Sequence, residues 1–182
     1  MKKIIIILFT LVFSTNTFAS IKKNIIKNIE NIENISFNFE QNINGKIENG
    51  ICTIQYPKKI FCKYDLDNKK ILVSNGKSLV VKTLSSYYLY PIDKTPLNFI
   101  LDKEFILNKI KNLNERIVED KFINYRFNEN DNEINIFFDK KNFNFIGWQT
   151  LDIYQNLSIT FLTSIIKNQN LNKNLFSLPE KN

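Results

Sequence analysis

Residues 46–84 read K-I-E-N-G-I-C-T-I-Q-Y-P-K-K-I-F-C-K-Y-D-L-D-N-K-K-I-L-V-S-N-G-K-S-L-V-V-K-T-L, and this stretch decides the fold. Its runs of β-branched and aromatic residues are broken at Tyr56-Pro57-Lys58-Lys59, Asp65-Leu66-Asp67-Asn68 and Ser74-Asn75-Gly76-Lys77. Proline fixes φ and lacks an N–H, and Asn-Gly tolerates positive φ, so each break is a turn. Connections this short force antiparallel pairing, because a parallel return needs a crossover of about a dozen residues. The stretch is a β-meander.

Outward from the meander the same logic extends. Toward the N-terminus, Asn44-Gly45 joins it to a strand beginning at Ser36, with Phe37, Phe39 and Gln41 on one face and Asn38 and Glu40 on the other. Before that strand, Ile21, Ile25, Ile26, Ile29, Ile32 and Ile35 recur every three or four residues, which predicts an amphipathic helix over 21–35. Toward the C-terminus, Ser85–Tyr90 adds a tyrosine-rich strand. Thr95 and Pro96 then suit the N-cap and first position of a short helix carrying Leu97, Ile100 and Leu101 on one face. Leu107, Ile110 and Leu113 suggest a further helical piece. Strands are expected at 116–119, 122–127, 133–138, 143–152, 158–163 and 175–178. The predicted architecture is mainly β: one curled antiparallel sheet of ten or eleven strands, an unclosed barrel, with a few helices covering its concave side. A sheet of that size curls rather than staying flat. No repeat or linker marks a second domain.

The first residues, M-K-K-I-I-I-I-L-F-T-L-V-F-S-T-N-T-F-A, have a basic start, an apolar run from Ile4 to Phe13 and small residues at Thr17 and Ala19. This is a secretory signal pattern, so residues 1–19 are expected to be removed and 20–182 to form the mature domain. The rival, a membrane anchor, needs an apolar run of roughly 20 residues, and this one is about half that. Removing Lys2 and Lys3 lowers the formal charge from +7 to +5. The remaining lysines are scattered among carboxylates, and Arg116 and Arg126 make no arginine-rich patch, so no nucleic-acid surface is expected. Export implies an oxidising compartment. Cys52 and Cys62 lie symmetrically about Pro57, and opposed positions of a hairpin bring Cα atoms within disulfide range. A one-residue slip would put the thiols on opposite faces and leave them reduced.

Catalytic chemistry finds no purchase. The chain has no histidine, which removes histidine-based catalysis and most zinc sites. It has no G-x-S-x-G motif and no P-loop. Asp65, Asp67, Asp131 and Asp139 fall in turns, where aspartate serves the backbone. No enzymatic activity, metal or cofactor is expected. The unusual feature is 16 Phe and 7 Tyr beside one Trp. Much of that is core, yet a half-closed barrel with small helices is expected to leave an apolar hollow, and such hollows bind apolar ligands.

These segments together resemble the LolA family of periplasmic lipoprotein carriers. The matching pieces are I-S-F-N-F-E-Q at 35–41, the Y-P-K-K-I-F-C-K-Y hairpin at 56–64, I-L-V-S-N-G-K-S-L-V-V at 71–81 and T-P-L-N-F-I-L at 95–101. Near the end, I-G-W-Q-T-L-D at 146–152, I-T-F-L at 159–162 and L-F-S-L-P at 175–179 match the closing segments. The order is more specific than any one motif. The resemblance implies a monomeric carrier in the periplasm that buries the acyl chains of lipoproteins. It would receive them from an inner-membrane lipoprotein-releasing ABC transporter and deliver them to an outer-membrane receptor. Alternatives on the same fold are an envelope lipid-binding protein and a regulatory protein that binds a partner. Two departures stand out: Tyr56 where many members have Arg before the hairpin proline, and Cys62 where many have Trp. Strand parity then assigns Phe37, Phe39, Tyr64 and Val80 to the cavity lining and Trp148 and Phe161 to the far wall, and the resemblance implies that Leu97, Ile100 and Leu101 form a lid.

Overall fold

The computed structural model describes residues 16–152 and 155–181. Residues 1–15 of the expected signal segment lie outside the described residues. Helix α1, Asn16–Glu30, precedes six strands: β1 (Asn34–Ile43), β2 (Lys46–Gln55), β3 (Lys59–Tyr64), β4 (Ile71–Asn75), β5 (Ser78–Lys82) and β6 (Tyr87–Pro91). A 3-10 turn at Ile92–Lys94 leads into α2 (Leu97–Ile100) and α3 (Lys103–Asn112). Five strands follow: β7 (Arg116–Val118), β8 (Phe122–Glu129), β9 (Asn132–Asp139), β10 (Phe145–Leu151) and β11 (Leu157–Lys167). All eleven belong to one antiparallel sheet ordered β6-β5-β4-β3-β2-β1-β11-β10-β9-β8-β7.

The order is two meanders joined by one non-local pair, β1 with β11, in which Phe39 faces Leu162 and Gln41 faces Thr160. Strands β6 and β7 are not bonded to each other, so the barrel stays open. The chain between those edges is the α2–α3 segment. The turns obey their residues. Asn44 and Gly45 have φ of 50° and 88°, and Asn130 and Asp131 have 46° and 62°, the positive values that two-residue hairpins require. Lys59 pairs with Gln55 across the Pro57 turn, which puts Cys52 opposite Cys62. The two are disulfide-bonded with Cα atoms 4.1 Å apart.

Helix α1 presents Ile25 and Ile29, both buried, to a core continuous with the concave face of the sheet. It ends at Glu30, earlier than its isoleucine spacing predicts, and Ile35 is already in β1. Lys103 of α3 fixes that end: its Nζ donates to the carbonyls of Glu30 (2.8 Å) and Ile32 (3.0 Å). Those carbonyls would otherwise be orphans of the helix terminus. The end of β11 clasps the same turn, with Asn168 Oδ1 accepting from Glu33 N at 2.8 Å and Asn168 Nδ2 donating to Asn31 O at 2.9 Å.

Two local expectations are corrected. Thr95 does not cap α2, because its hydroxyl donates to Ile92 O at 2.9 Å instead. Asp102 caps α3, accepting from Phe105 N at 3.1 Å. The strand expected at 175–178 is a pair of turns, with Leu175 N bonded to Asn172 O and Ser177 N to Asn174 O, both at 3.1 Å.

Strand β2 carries a glycine at position 50 for a packing reason. A Cβ there would lie 2.2 Å from the Lys63 carbonyl oxygen and 2.8 Å from the Phe39 ring. Gly50→Ala is therefore expected to lower the unfolding free energy by about 1–3 kcal/mol, the range for overpacking a tight core. Urea titration of the two proteins checks it, and equal midpoints would contradict it.

Candidate functional site

The concave face and the α2 segment enclose a cavity of about 290 Å³. One end is apolar. Ile60 and the Cys52–Cys62 bridge form its floor, Leu72, Leu79 and Val81 one side, and Pro96 and Leu97 the cover. Trp148 closes the far wall. Its ring stacks on Phe145 with centroids 6.0 Å apart and takes Phe37 edge-on at 6.5 Å. Phe39 and Tyr64 meet edge-to-face at 4.9 Å in the space that Gly50 leaves free.

The other end is polar, and no apolar-pattern reading foresees it. Gln41 Nε2 donates to Ser158 Oγ (3.0 Å) and Thr160 Oγ1 (3.2 Å), while Gln41 Oε1 accepts from Tyr64 OH at 3.2 Å. Beside them Glu48, only 4% exposed, accepts from Lys46 Nζ at 2.8 Å and Lys70 Nζ at 2.5 Å. Lys70 also sits 4.1 Å from the centroid of the Tyr64 ring, a cation–π contact. Burial alone would raise the Glu48 carboxyl, but the hydrogen bonds and charges of Lys46 and Lys70 outweigh it and hold the group below its ordinary 4.5. Burial, with the Glu48 charge adding to it, pushes the Tyr64 phenol well above its usual range, so Tyr64 remains a neutral donor.

Of the expected lining residues, Phe39, Tyr64, Leu97 and Trp148 are on the cavity wall. Phe37, Ile100 and Leu101 are buried in the core that borders it. Val80 and Phe161 are on the other face, which corrects their assignment. Leu79 and Val81 line the cavity, so Val80 points outward. It is nonetheless fully buried, paired with the buried Val73. Lys82, on the same outer face, donates to Glu180 O at 2.8 Å, bringing the C-terminal segment with its buried Phe176 to this side. Phe161 is 38% exposed and stacks on Phe137 at 5.8 Å. Its inward-pointing neighbours are Thr160 and Leu162, both buried. The residues that sequence reasoning missed are the polar ones, Gln41, Glu48, Lys70, Ser158 and Thr160. The available signal was parity with Phe39 on β1, which places Gln41 inside.

Among the described residues, no three histidine, cysteine, aspartate or glutamate side chains cluster to hold a metal. No described helix is long and apolar enough to cross a membrane. The site is a half-open, largely apolar hollow with polar residues on part of its wall, set in an open half-barrel.

The sequence places the chain more closely. A family model described as outer membrane lipoprotein carrier protein LolA matches residues 30–179, most of the chain, and the protein belongs to the LolA family. Its fold is similar to that of a LolA superfamily protein from Nitrosomonas europaea, at 7% identity over 88% of this chain and 97% of the other, with a TM-score of 0.47. It is also similar to a putative outer membrane lipoprotein-sorting protein domain from Vibrio parahaemolyticus (7% identity, 87% and 95% covered, TM-score 0.49). Lipoprotein LppX from Mycobacterium tuberculosis is a further similar structure (7% identity, 87% and 100% covered, TM-score 0.42). No curated protein matches the sequence.

The Glu48 cluster has a testable consequence for stability. Because the folded state holds Glu48 below its ordinary value, its contribution is complete above that value and is lost as pH falls through the folded pKa. Wild-type stability should therefore drop on acidification below about pH 4.5, and Glu48→Gln should be less stable at neutral pH and flatter across that acid limb. Denaturant unfolding at stepped pH measures both, and parallel curves would contradict it.

Proposed function

We propose that the protein is a periplasmic carrier of acylated lipoproteins, which takes them from an inner-membrane lipoprotein-releasing ABC transporter and hands them to an outer-membrane receptor. The observation that carries this reading is the cavity itself, in a chain of the LolA family. A secretory signal pattern and a disulfide in the same chain agree with an exported, oxidising location. Transfer needs no catalytic group. Burying acyl chain gains about 0.8 kcal/mol per methylene, and the protein must then release what it has gained.

The small size of the cavity supports a moving cover. Its volume of about 290 Å³ is at the bottom of the range for small-molecule sites, about 300–1,000 Å³. Two or three acyl chains need more room, so something must withdraw. Leu97 is the half-buried residue of α2 on the wall, whereas Ile100 and Leu101 anchor the same segment in the core. Lys58 N holds that anchor, donating to Leu101 O at 2.7 Å. Cargo would displace Leu97 and forfeit its packing, which offsets part of the acyl gain and keeps binding reversible.

Leu97→Ala should lower the stability of the empty protein by about 1–2 kcal/mol, less than a fully buried leucine costs. Its affinity for a diacylated lipopeptide, read by displacement of a fluorescent hydrophobic probe, should be unchanged or higher. Hydrogen exchange across residues 95–103 should differ between the empty and loaded protein. Identical exchange in both, or a large loss of affinity in the variant, would rule out the lid. Failure of the wild type to bind probe or lipopeptide would rule out carriage.

A further inference from the structure

Strand β11 is inside out. In the run Ser158-Ile159-Thr160-Phe161, the two hydroxyl residues face the cavity, 3% and 2% exposed, and Phe161 faces outward at 38%. Pairing of Gln41 with Thr160 and of Ile43 with Ser158 imposes that register. Burying hydroxyls while a phenylalanine stays exposed is unfavourable unless the hydroxyls have partners. Only half of their bonding is accounted for. Gln41 Nε2 donates one hydrogen to each oxygen, so both hydroxyls act there as acceptors. Among the described residues, no acceptor takes the proton of either one. Thr150, their neighbour on the wall, differs: its hydroxyl donates to Leu151 O at 3.3 Å. Gln41 is itself held in place by Tyr64 OH.

Two buried donors, fixed side by side on adjacent inward positions of one strand, ask for acceptors that arrive with the ligand. We propose that Ser158 and Thr160 form a carbonyl-recognition site, which binds the ester or amide carbonyls where acyl chains join their head. The head then sits at the β1–β11 end, and the chains run toward the disulfide floor and Leu97. This inference rests on reading the cavity as an acyl-chain site. It adds that the protein distinguishes acyl from alkyl chains of equal length, which an apolar hollow alone does not do. A site built to hydrogen-bond a ligand group discriminates against the analogue lacking it, because its own buried donors are left unpaired.

The test compares a synthetic lipopeptide bearing two ester-linked palmitoyl chains with its ether-linked analogue, which has the same chains and no ester carbonyls. Wild-type protein should bind the ester form on the order of ten-fold tighter, the worth of one or two hydrogen bonds. The Ser158→Ala/Thr160→Val double variant should lose that preference while keeping its affinity for the ether form. Thr160→Ser, which retains a hydroxyl and guards against a folding artefact, should keep most of it. Equal binding of the two lipopeptides by wild type, or an equal loss for both in the double variant, would overturn the proposal. If wild type binds neither compound, the acyl-chain reading fails, and this site with it; if it binds both equally, only this site fails.

Discussion

The pairing of β1 with β11 is the interaction on which the rest depends. Every other strand contact joins neighbours in sequence, and local pairs of that kind form cheaply because little loop entropy is lost. The β1–β11 ladder instead joins residues more than a hundred positions apart, from Ile35 with Lys167 to Ile43 with Ser158. Without it there are two separate meanders, each with an exposed apolar face. With it there is one sheet too large to stay flat, with edges β6 and β7 left unjoined and the α2–α3 segment lying between them. The clasp of Asn168 on residues 31–34 closes the same seam at its end. The cavity follows from that geometry: the curled sheet supplies the floor and the helices fill only part of the space above it.

The same pairing sets the cavity's polarity. It brings Gln41 of β1 against Thr160 of β11, and the ion cluster of Glu48, Lys46 and Lys70 lies beside them on β2 and the β3–β4 connection. The result is one hollow whose wall runs from disulfide and leucine to amide, hydroxyl and carboxylate. A uniformly greasy hollow would hold chains in any orientation. A hollow with one wet end orients an amphiphile, which suits a ligand that must leave head first or tail first at a defined surface.

What was legible in the sequence was what local chemistry decides. Asn44-Gly45 and the Pro57 turn set their hairpins, and the symmetric spacing of Cys52 and Cys62 about Pro57 is realised as the disulfide. Phe39, Tyr64, Leu97 and Trp148 reach the wall because their strands or helix keep the expected face. Parity failed where apolar residues occupy both faces. Leu79, Val80 and Val81 are consecutive, and the outward one is also buried, on the face where Lys82 ties down the C-terminal segment. On β11 the apolar pattern points to Ile159 and Phe161 as the inner face, but the long-range register with β1 turns them out. The isoleucine stripe likewise continues past the end of α1, because burial of Ile32 and Ile35 is met by a turn and a strand as readily as by a helix.

Carriage of acylated cargo is the central claim, and the most direct measurement is native mass spectrometry of the protein after export to and purification from the periplasm. The prediction is a one-to-one complex with acylated lipoprotein, from which activation releases a peptide chain bearing fatty-acyl groups. A mass equal to the empty chain, with no bound lipid even when lipoprotein is co-expressed, would contradict carriage.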